Sequence, residues 1–265
     1  VHAQAFYGGV LSGGTNYQGD LQESAFNVRD IHVFGGASVH YETKKFLSFT
    51  ADLTIGHLSG RDRFLNKSRN LSFNTSLYEL GFYGRANLLN LRRLPIVPYV
   101  ATGFTVFYVN PYTTDVSGSS VALYPLRLEG QGLKEYPERK LQRNVNIAIP
   151  ISGGLEFMVT ENLRVDMEVT LRKTFTDHID DVSHNYPDYD LLLNYTGPKA
   201  VELSYRGDEL PGGNPVFPSG LQRGGPADDW YNSFTIRVRL PIRIWTHSQK
   251  FEYYIFRKKG WPYHW

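Results

Sequence analysis

The chain has no cysteine among its 265 residues and only two methionines. Without thiols there are no disulfides, no cysteine-ligated zinc and no thiol nucleophile. A small secreted module would need such staples, but a chain long enough to bury a sizeable core does not. The length suits one large domain or two small ones. Long apolar runs are missing as well. No stretch approaches the roughly 18 apolar residues of a spanning helix, and mean hydropathy is −0.35. A helical membrane protein is excluded. A transmembrane barrel escapes that test, because half of each strand faces away from lipid. Nor is there a surplus of one charge. Lys+Arg number 28 against Asp+Glu 26, a net of +2, which argues against nucleic acid as a bulk partner.

What the chain does have is aromatic residues and alternation. Aromatics make up 14%, with 18 Tyr and 16 Phe, a composition that suits aromatic girdles at two membrane interfaces or a Tyr-rich extracellular sandwich. The organising stretch is 230–242. Trp230, Phe234, Ile236, Val238, Leu240 and Ile242 form one face, interrupted only by Asn232, against Tyr231, Ser233, Thr235, Arg237, Arg239 and Pro241. A period of two over more than ten residues is a strand signal.

Seven further strands read the same way: 5–11, 31–41, 47–56, 78–87, 99–109, 147–157 and 163–172. In the third, Leu47, Phe49, Ala51, Leu53 and Ile55 oppose Ser48, Thr50, Asp52 and Thr54. In the seventh, Leu163, Val165, Met167, Val169 and Leu171 oppose Arg164, Asp166, Glu168, Thr170 and Arg172. Residues 12–20 are rich in Gly, Asn and Asp and read as a connection. Pro150 cannot donate to a ladder, which predicts a bulge or an irregular end there.

Alternation alone fits a soluble sandwich or a membrane barrel. The connections separate the two. The first, third, fifth and seventh are long and the second, fourth and sixth are short. That sorting is the layout of an all-β, eight-stranded antiparallel transmembrane barrel with short periplasmic turns and long extracellular loops. Residues 1–244 form the barrel and 245–265 a periplasmic C-terminal tail. The opening Val1-His2-Ala3-Gln4-Ala5 resembles the end of a signal peptide, so the expected location is the outer membrane.

The inward faces then collect Asp52, Glu79, Arg85, Glu156, Arg164, Asp166, Glu168, Arg172, Arg237, Arg239 and Arg243, five acids and six arginines. An eight-stranded interior is about wide enough for side chains to fill, and buried charges survive there only when paired. The set predicts a salt-bridge network that plugs the lumen. Asp166 and Glu168 face the same way but lack the nucleophile, base and orienting group of a catalytic site. No Ser–His–Asp arrangement can be placed at one end of neighbouring strands, and no enzymatic activity is expected.

Outside the strands, Thr174 to Val182 brings together Asp177, His178, Asp180 and Asp181. Hard-cation binding, Ca²⁺ for instance, is chemically reasonable there. The spacing matches no Ca²⁺ loop signature, and an acidic helix start is the plainer explanation. The eight histidines show no metal-ligand spacing, and no cofactor is expected. Residues 175–229 hold ten acids against three bases, a balance of −7, which reads either as a solvated face or as a protein-docking surface. Within 199–205 a short strand or a helical turn is expected. The tail carries Arg257, Lys258, Lys259, Trp261, Tyr263 and Trp265, aromatic and basic anchors of the kind used at interfaces.

Four elements carry a resemblance. They are Gly13-Gly14-Thr15-Asn16-Tyr17-Gln18-Gly19-Asp20-Leu21, then Gly132-Leu133 with Tyr136-Pro137-Glu138-Arg139-Lys140, then Thr174 to Ser183 with Asp177, Asp180 and Asp181, and last Arg223-Gly224 with Asp229-Trp230-Tyr231. Their order resembles that of the PorG-like family of Bacteroidetes outer-membrane proteins, associated with the type IX secretion system. The resemblance implies a barrel that attaches periplasmic ring components, a lipoprotein and its partner, to the outer membrane, with no catalytic residue. The expected function is therefore non-enzymatic anchoring of a secretion and gliding machine, by periplasmic turns and tail. The alternative is a surface-exposed barrel that binds an external protein or ligand through its long loops.

Overall fold

The computed structural model describes residues 5–22, 24, 27–43, 46–62, 68–89, 95–160 and 162–242. Five strands open the chain: β1 (Ala5–Gln18), β2 (His32–Glu42), β3 (Leu47–Arg61), β4 (Ser72–Asn87) and β5 (Ile96–Tyr108). A small hairpin follows, β6 (Tyr112–Thr114) and β7 (Ser120–Ala122). Then come β8 (Val145–Met158), β9 (Arg164–Thr174), the helices α1 (Tyr189–Thr196) and α2 (Pro198–Ser204), and β10 (Trp230–Pro241). Eight strands pair antiparallel in the circuit β1-β2-β3-β4-β5-β8-β9-β10, and β10 returns to β1 from Gln18↔Trp230 to Tyr7↔Pro241. The sheet closes on itself, so no strand edge is left open within the membrane layer.

Closure explains the alternation. Outward positions such as Val10, Leu53, Phe82, Phe104, Ile151 and Val238 are exposed, while Ser48, Asp52, Thr54, Glu79, Ser152 and Thr170 are buried. A continuous apolar belt of this size on a water-soluble protein would be an association surface. On a closed barrel it is the lipid-facing surface. Aromatic pairs mark its two rims. Phe6 and Tyr41 (4.7 Å) sit beside the short turns, and Tyr78 and Tyr108 (6.1 Å) toward the long loops. The short connections are 43–46, 88–95 and 159–163, and the long ones are 19–31, 62–71, 109–144 and 175–229.

The structure departs from the alternation reading mainly at the extracellular mouth. β1 continues through 12–18 and is no connection there. Its glycines permit this: a Cβ at Gly13 would collide with the Phe234 carbonyl of the neighbouring strand. Gly14 and Tyr17 therefore lie in a strand, as does Trp230, and not in loops. β3 and β4 likewise reach beyond the lipid belt, where Leu58, Ser59 and Gly60 are buried in succession. Asn232, the interruption in the apolar face of β10, is buried there too. At Pro150 no residue is inserted. The β5–β8 ladder skips from Thr102↔Ile151 to Thr105↔Ala148 without changing register, and the Thr102 hydroxyl donates to the Pro150 carbonyl (2.8 Å). Residues 199–204 are helical.

If the belt touches lipid, Leu53→Arg should cost about 2–4 kcal/mol of folding free energy in bilayers, as Arg does at a barrel midplane. Urea titration of refolding into vesicles measures it. A cost near zero, normal for an exposed residue in water, would contradict lipid contact at that position.

Candidate functional site

Two arrangements stand out, a packed lumen and a folded cap over it. The lumen is held by arginine–carboxylate layers stacked along the barrel. Nearest the short turns, Arg239 Nη2 lies 2.7 Å from both Glu156 Oε2 and Asp166 Oδ1. Arg85 reaches Asp166 Oδ1 at 3.1 Å and also donates to Glu156. Arg164 Nη1 bridges Glu156 (2.9 Å) and Glu42 (3.0 Å). Midway, Arg237 Nη2 meets Asp52 Oδ2 at 2.6 Å and stands 3.7 Å from Glu168 Oε1, while its Nη1 is 3.7 Å from Asp166 Oδ2. Below the mouth, Arg172 pairs with Glu79 (2.7 Å) and donates to Ser233 Oγ (2.9 Å), and Tyr231 Oη donates to Glu79 Oε2 (2.5 Å). Aromatic rings fill the gaps: Arg85 stacks 3.5 Å above the Tyr99 ring, whose hydroxyl donates to Glu168.

Ten of the eleven inward charges named from alternation thus find ionic partners in the lumen, eight in one linked lattice and Arg172 with Glu79 as a separate layer toward the mouth. Arg243 lies outside the described residues, as does the tail with Arg257, Lys258, Lys259, Trp261, Tyr263 and Trp265. Each layer draws on strands far apart in the chain, so the lattice ties the barrel across its width.

The apolar core is elsewhere. Leu58, Leu71, Phe73, Leu77, Phe107, Val109, Leu123, Leu128, Ile179, Val182, Leu192 and Leu203 cluster at the extracellular mouth with Tyr17, Leu21 and Tyr231. They come from the upper ends of β1, β3, β4, β5 and β10 and from all four long connections, Leu21 from 19–31, Leu71 from 62–71 and the rest from 109–144 and 175–229. The long loops are therefore one folded cap with its own hydrophobic interior.

The four motif elements converge within that cap. Tyr17 Oη lies 2.6 Å from Asp180 Oδ2 and 2.9 Å from Asp229 Oδ1. Asp20 accepts from Gly225 N (2.8 Å). Arg223, buried, donates to Glu129 Oε1 (2.8 Å) and to the carbonyls of Asp181 (2.6 Å) and Ser204 (3.1 Å). Arg139 Nη1 donates to the carbonyls of Glu129 (2.5 Å) and Asn185 (3.0 Å) and stacks on Tyr136 (4.1 Å), whose hydroxyl accepts from Asp188 N (2.9 Å). Pro137 lies in the same turn. Gly19 has no room for a side chain: a Cβ would collide with the Tyr17 hydroxyl and Asp229 Oδ1. Glu129 and Asn185, which join these elements, carried no sequence signal, because a lone Glu between Leu128 and Gly130 in an irregular connection has no periodicity.

Burial governs the acids here. It pushes Asp180 up to about 7 and Asp177 up to about 9, the latter with help from Asp180, Asp20 and Glu129, and it holds Asp181 and Asp229 well above the carboxylate range. Glu129 goes the other way. Burial opposes its charge, but the His184 hydrogen bond, Arg223 and the Ser183 N–H hold it down at about 2.

Two expectations need correction. Residues 176–182 are not a helix start: the segment is irregular, and Asp181 sits at φ 61 in the left-handed region. As a Ca²⁺ site it is poorly arranged. Asp180 is engaged by Tyr17 and Val182 N, Asp181 by Gln142, and among the described residues no group of three His, Cys, Asp or Glu side chains is placed to hold a metal ion. The −7 balance of 175–229 also overstates the charge that the loop exposes. Asp180, Asp181 and Asp229 are buried, and Asp228, Glu202 and Glu209 pair with Lys173, Lys199 and Arg206. Asp188 caps α1. Asp190 and Asp208 are the acids of that loop left exposed with no such role.

No protein-family model and no curated protein sequence matches the chain. Among solved structures it is similar to Neisserial surface protein A (TM-score 0.46, 12% identity, 91% of this chain and 100% of that one). It is also similar to the N-terminal β-barrel domain of Pseudomonas aeruginosa OprF (0.37, 10%, 90% and 100%). A third is Ail, the attachment invasion locus protein of Yersinia pestis, solved in complex with the heparin analogue sucrose octasulfate (0.39, 8%, 90% and 97%).

Removing one arginine from the lattice leaves buried carboxylates facing each other. Arg239→Met should destabilise the barrel by about 3–5 kcal/mol, the usual cost of orphaning a buried ionic partner. Adding Glu156→Gln should restore part of it, because one fewer charge is then stranded. Denaturant unfolding in bilayers reads both, and an unrecovered double variant would separate Glu156 from Arg239 energetically.

Proposed function

We propose that this chain is a non-enzymatic outer-membrane barrel that works by protein contact, presenting its extracellular cap to an external protein. The observation that carries this reading is the cap itself. Barrel closure does not need it, yet residues 109–144 and 175–229 are ordered around a hydrophobic core. Ordering costs roughly 1–2 kcal/mol per residue in backbone entropy alone, and connections of this length are uncommon unless functional. The lumen supports the same reading from the other side, since a lattice of paired side chains leaves no polar channel for solutes.

The contact surface fits the outer edge of the cap. Tyr189 and Leu221 are exposed, Phe217 packs edge-on against Tyr189 (5.7 Å), and Val216 and Tyr195 are exposed nearby. Exposed tyrosines on a rigid base are common anchors of protein interfaces, and the aliphatic side chains beside them add apolar area.

A second reading rests on the motif elements. Their residues lie up to 212 positions apart and meet through direct hydrogen bonds, which supports the resemblance to the PorG-like family as one of a whole buried unit. On that reading the barrel anchors periplasmic ring proteins of a type IX secretion system, with the cap keeping the barrel rigid.

One pair of measurements discriminates. Tyr189→Ala with Leu221→Asp should weaken binding to the cell-surface partner at least tenfold while the barrel still inserts. Under the second reading, mild-detergent purification from native membranes recovers periplasmic ring proteins, equally from wild type and from the double variant. In planar bilayers the protein should show no stepwise conductance; an open-pore current would defeat both.

A further inference from the structure

A tyrosine hydroxyl has one hydrogen to give, yet Tyr17 Oη lies within hydrogen-bond distance of two carboxyls, Asp180 Oδ2 (2.6 Å) and Asp229 Oδ1 (2.9 Å). All three groups are buried. With both carboxyls ionised, one contact would set oxygen lone pairs against each other away from water. When one carboxyl carries a proton, it donates to the tyrosine oxygen and the tyrosine donates to the other, so every contact is satisfied.

The placement of the three groups matters as much. Tyr17 ends β1, Asp180 lies at the start of the 175–229 connection and Asp229 at its end. The second oxygen of each carboxyl holds local backbone: Val182 N donates to Asp180 Oδ1 (2.9 Å) and Ile179 N to Asp229 Oδ2 (2.8 Å). Asp229 N donates to the Thr176 carbonyl (2.9 Å). We propose that Asp180, Tyr17 and Asp229 form a one-proton latch that fastens both ends of this long connection to the barrel mouth, and that losing the proton loosens the cap.

The surroundings favour keeping the proton. Asp20 approaches from the β1–β2 connection, Asp177, His178, Asp181 and Arg223 from the same connection as the latch, and Glu129 and Tyr124 from 109–144. The charges acting on Asp229 are those of Asp180 and Asp177. Arg223 is committed to Glu129 and two carbonyls. Arg69 is committed to Asp62 (2.9 Å) and the Asp20 carbonyl (3.0 Å).

The sign follows from linkage. Burial raises the latch carboxyls above their unfolded values, so the closed cap binds a proton that the open cap releases. That stability is full below the ordinary carboxylate range near 4 and is lost as pH rises through the folded values of the coupled pair, about 7 at Asp180 with Asp229 raised as well. Glu129, held at about 2, contributes in the opposite sense only in strong acid and does not act in this window.

Hydrogen exchange of the intact protein in lipid nanodiscs, corrected for intrinsic rates, tests the latch at pH 5, 6.5 and 8. The amides of Ile179 and Val182 should lose at least tenfold in protection between pH 5 and 8, while amides of β3 within the belt stay unchanged. Asp180→Asn has no proton to lose and should abolish the slope; Asp229→Asn provides the same test if that variant does not fold. Tyr17→Phe should lower protection at every pH. A flat wild-type profile, a wild-type slope in Asp180→Asn, or protection at pH 8 restored by added calcium would overturn the proposal.

Discussion

The structure depends on where a closed eight-stranded ladder can put charge. Apart from the gap in the β5–β8 ladder at Gly103 and Phe104, the backbone groups of the membrane layer are spent on the neighbouring strand, so the outer face carries little polarity into lipid. Charged side chains at the level of the lipid belt have one destination, an interior too narrow for a water column, whereas Lys173 at the mouth faces outward and pairs with Asp228. There they must neutralise one another. The Arg239–Glu156–Asp166–Arg85 knot satisfies that demand with one guanidinium serving two acids and one acid serving two guanidiniums. An isolated pair would leave more lone pairs and protons unused; here Arg239 Nε and Nη1, Arg237 Nε, Asp52 Oδ1 and Asp166 Oδ2 still find no hydrogen-bond partner. Swapping such a lattice for well-packed hydrophobes is often neutral or favourable in a soluble core, but this barrel already turns its apolar faces to lipid. Charge inside preserves the alternation that decides which face is which.

The same constraint displaces the hydrophobic core. With greasy residues outside and charge within, apolar packing is available only above the membrane, where loops can fold back on themselves. Hence Leu58, Phe73 and Phe107 sit at strand ends, beneath Ile179, Val182 and Leu203 from the connections. The chain has one lipid-exposed apolar surface and one conventional core, joined by the upper thirds of β1, β3, β4 and β10. The cap is thereby continuous with the barrel wall, which gives any partner a rigid platform.

Much of the barrel was legible because parity survives errors in strand length. Leu53 faces out and Asp52 in whether β3 ends at Gly56 or Arg61, so misplacing a strand end changes no assignment in the belt. Legibility fails where both faces of a strand are covered. There Thr15, Asn16 and Tyr17 are buried in succession, alternation vanishes, and strand reads as loop. It fails again for charge: a sum of −7 carries no information on burial, and three of those acids are internal. The lattice members could be named from parity, but not their pairing, since Arg172 finds Glu79 across 93 residues.

The motif elements were read as loop features, and their real meaning is a shared interior. Gly19 must lack a side chain because Tyr17 and Asp229 occupy its space, and Asp20, Arg223 and Arg139 tie backbone from different connections together. Residues employed this way fix the shape of the cap from largely within it, with Arg223 and Asp229 fully buried. That resolves a tension in the anchoring reading, where recognisable elements cluster at the extracellular end although ring proteins would be met from the periplasm. Elements that specify a fold need not lie where partners bind. A contact surface would instead be sought among exposed side chains, Tyr189 and Leu221 on one side of the membrane or the short turns on the other. The two readings differ in which exposed surface is used and agree on the buried frame beneath it.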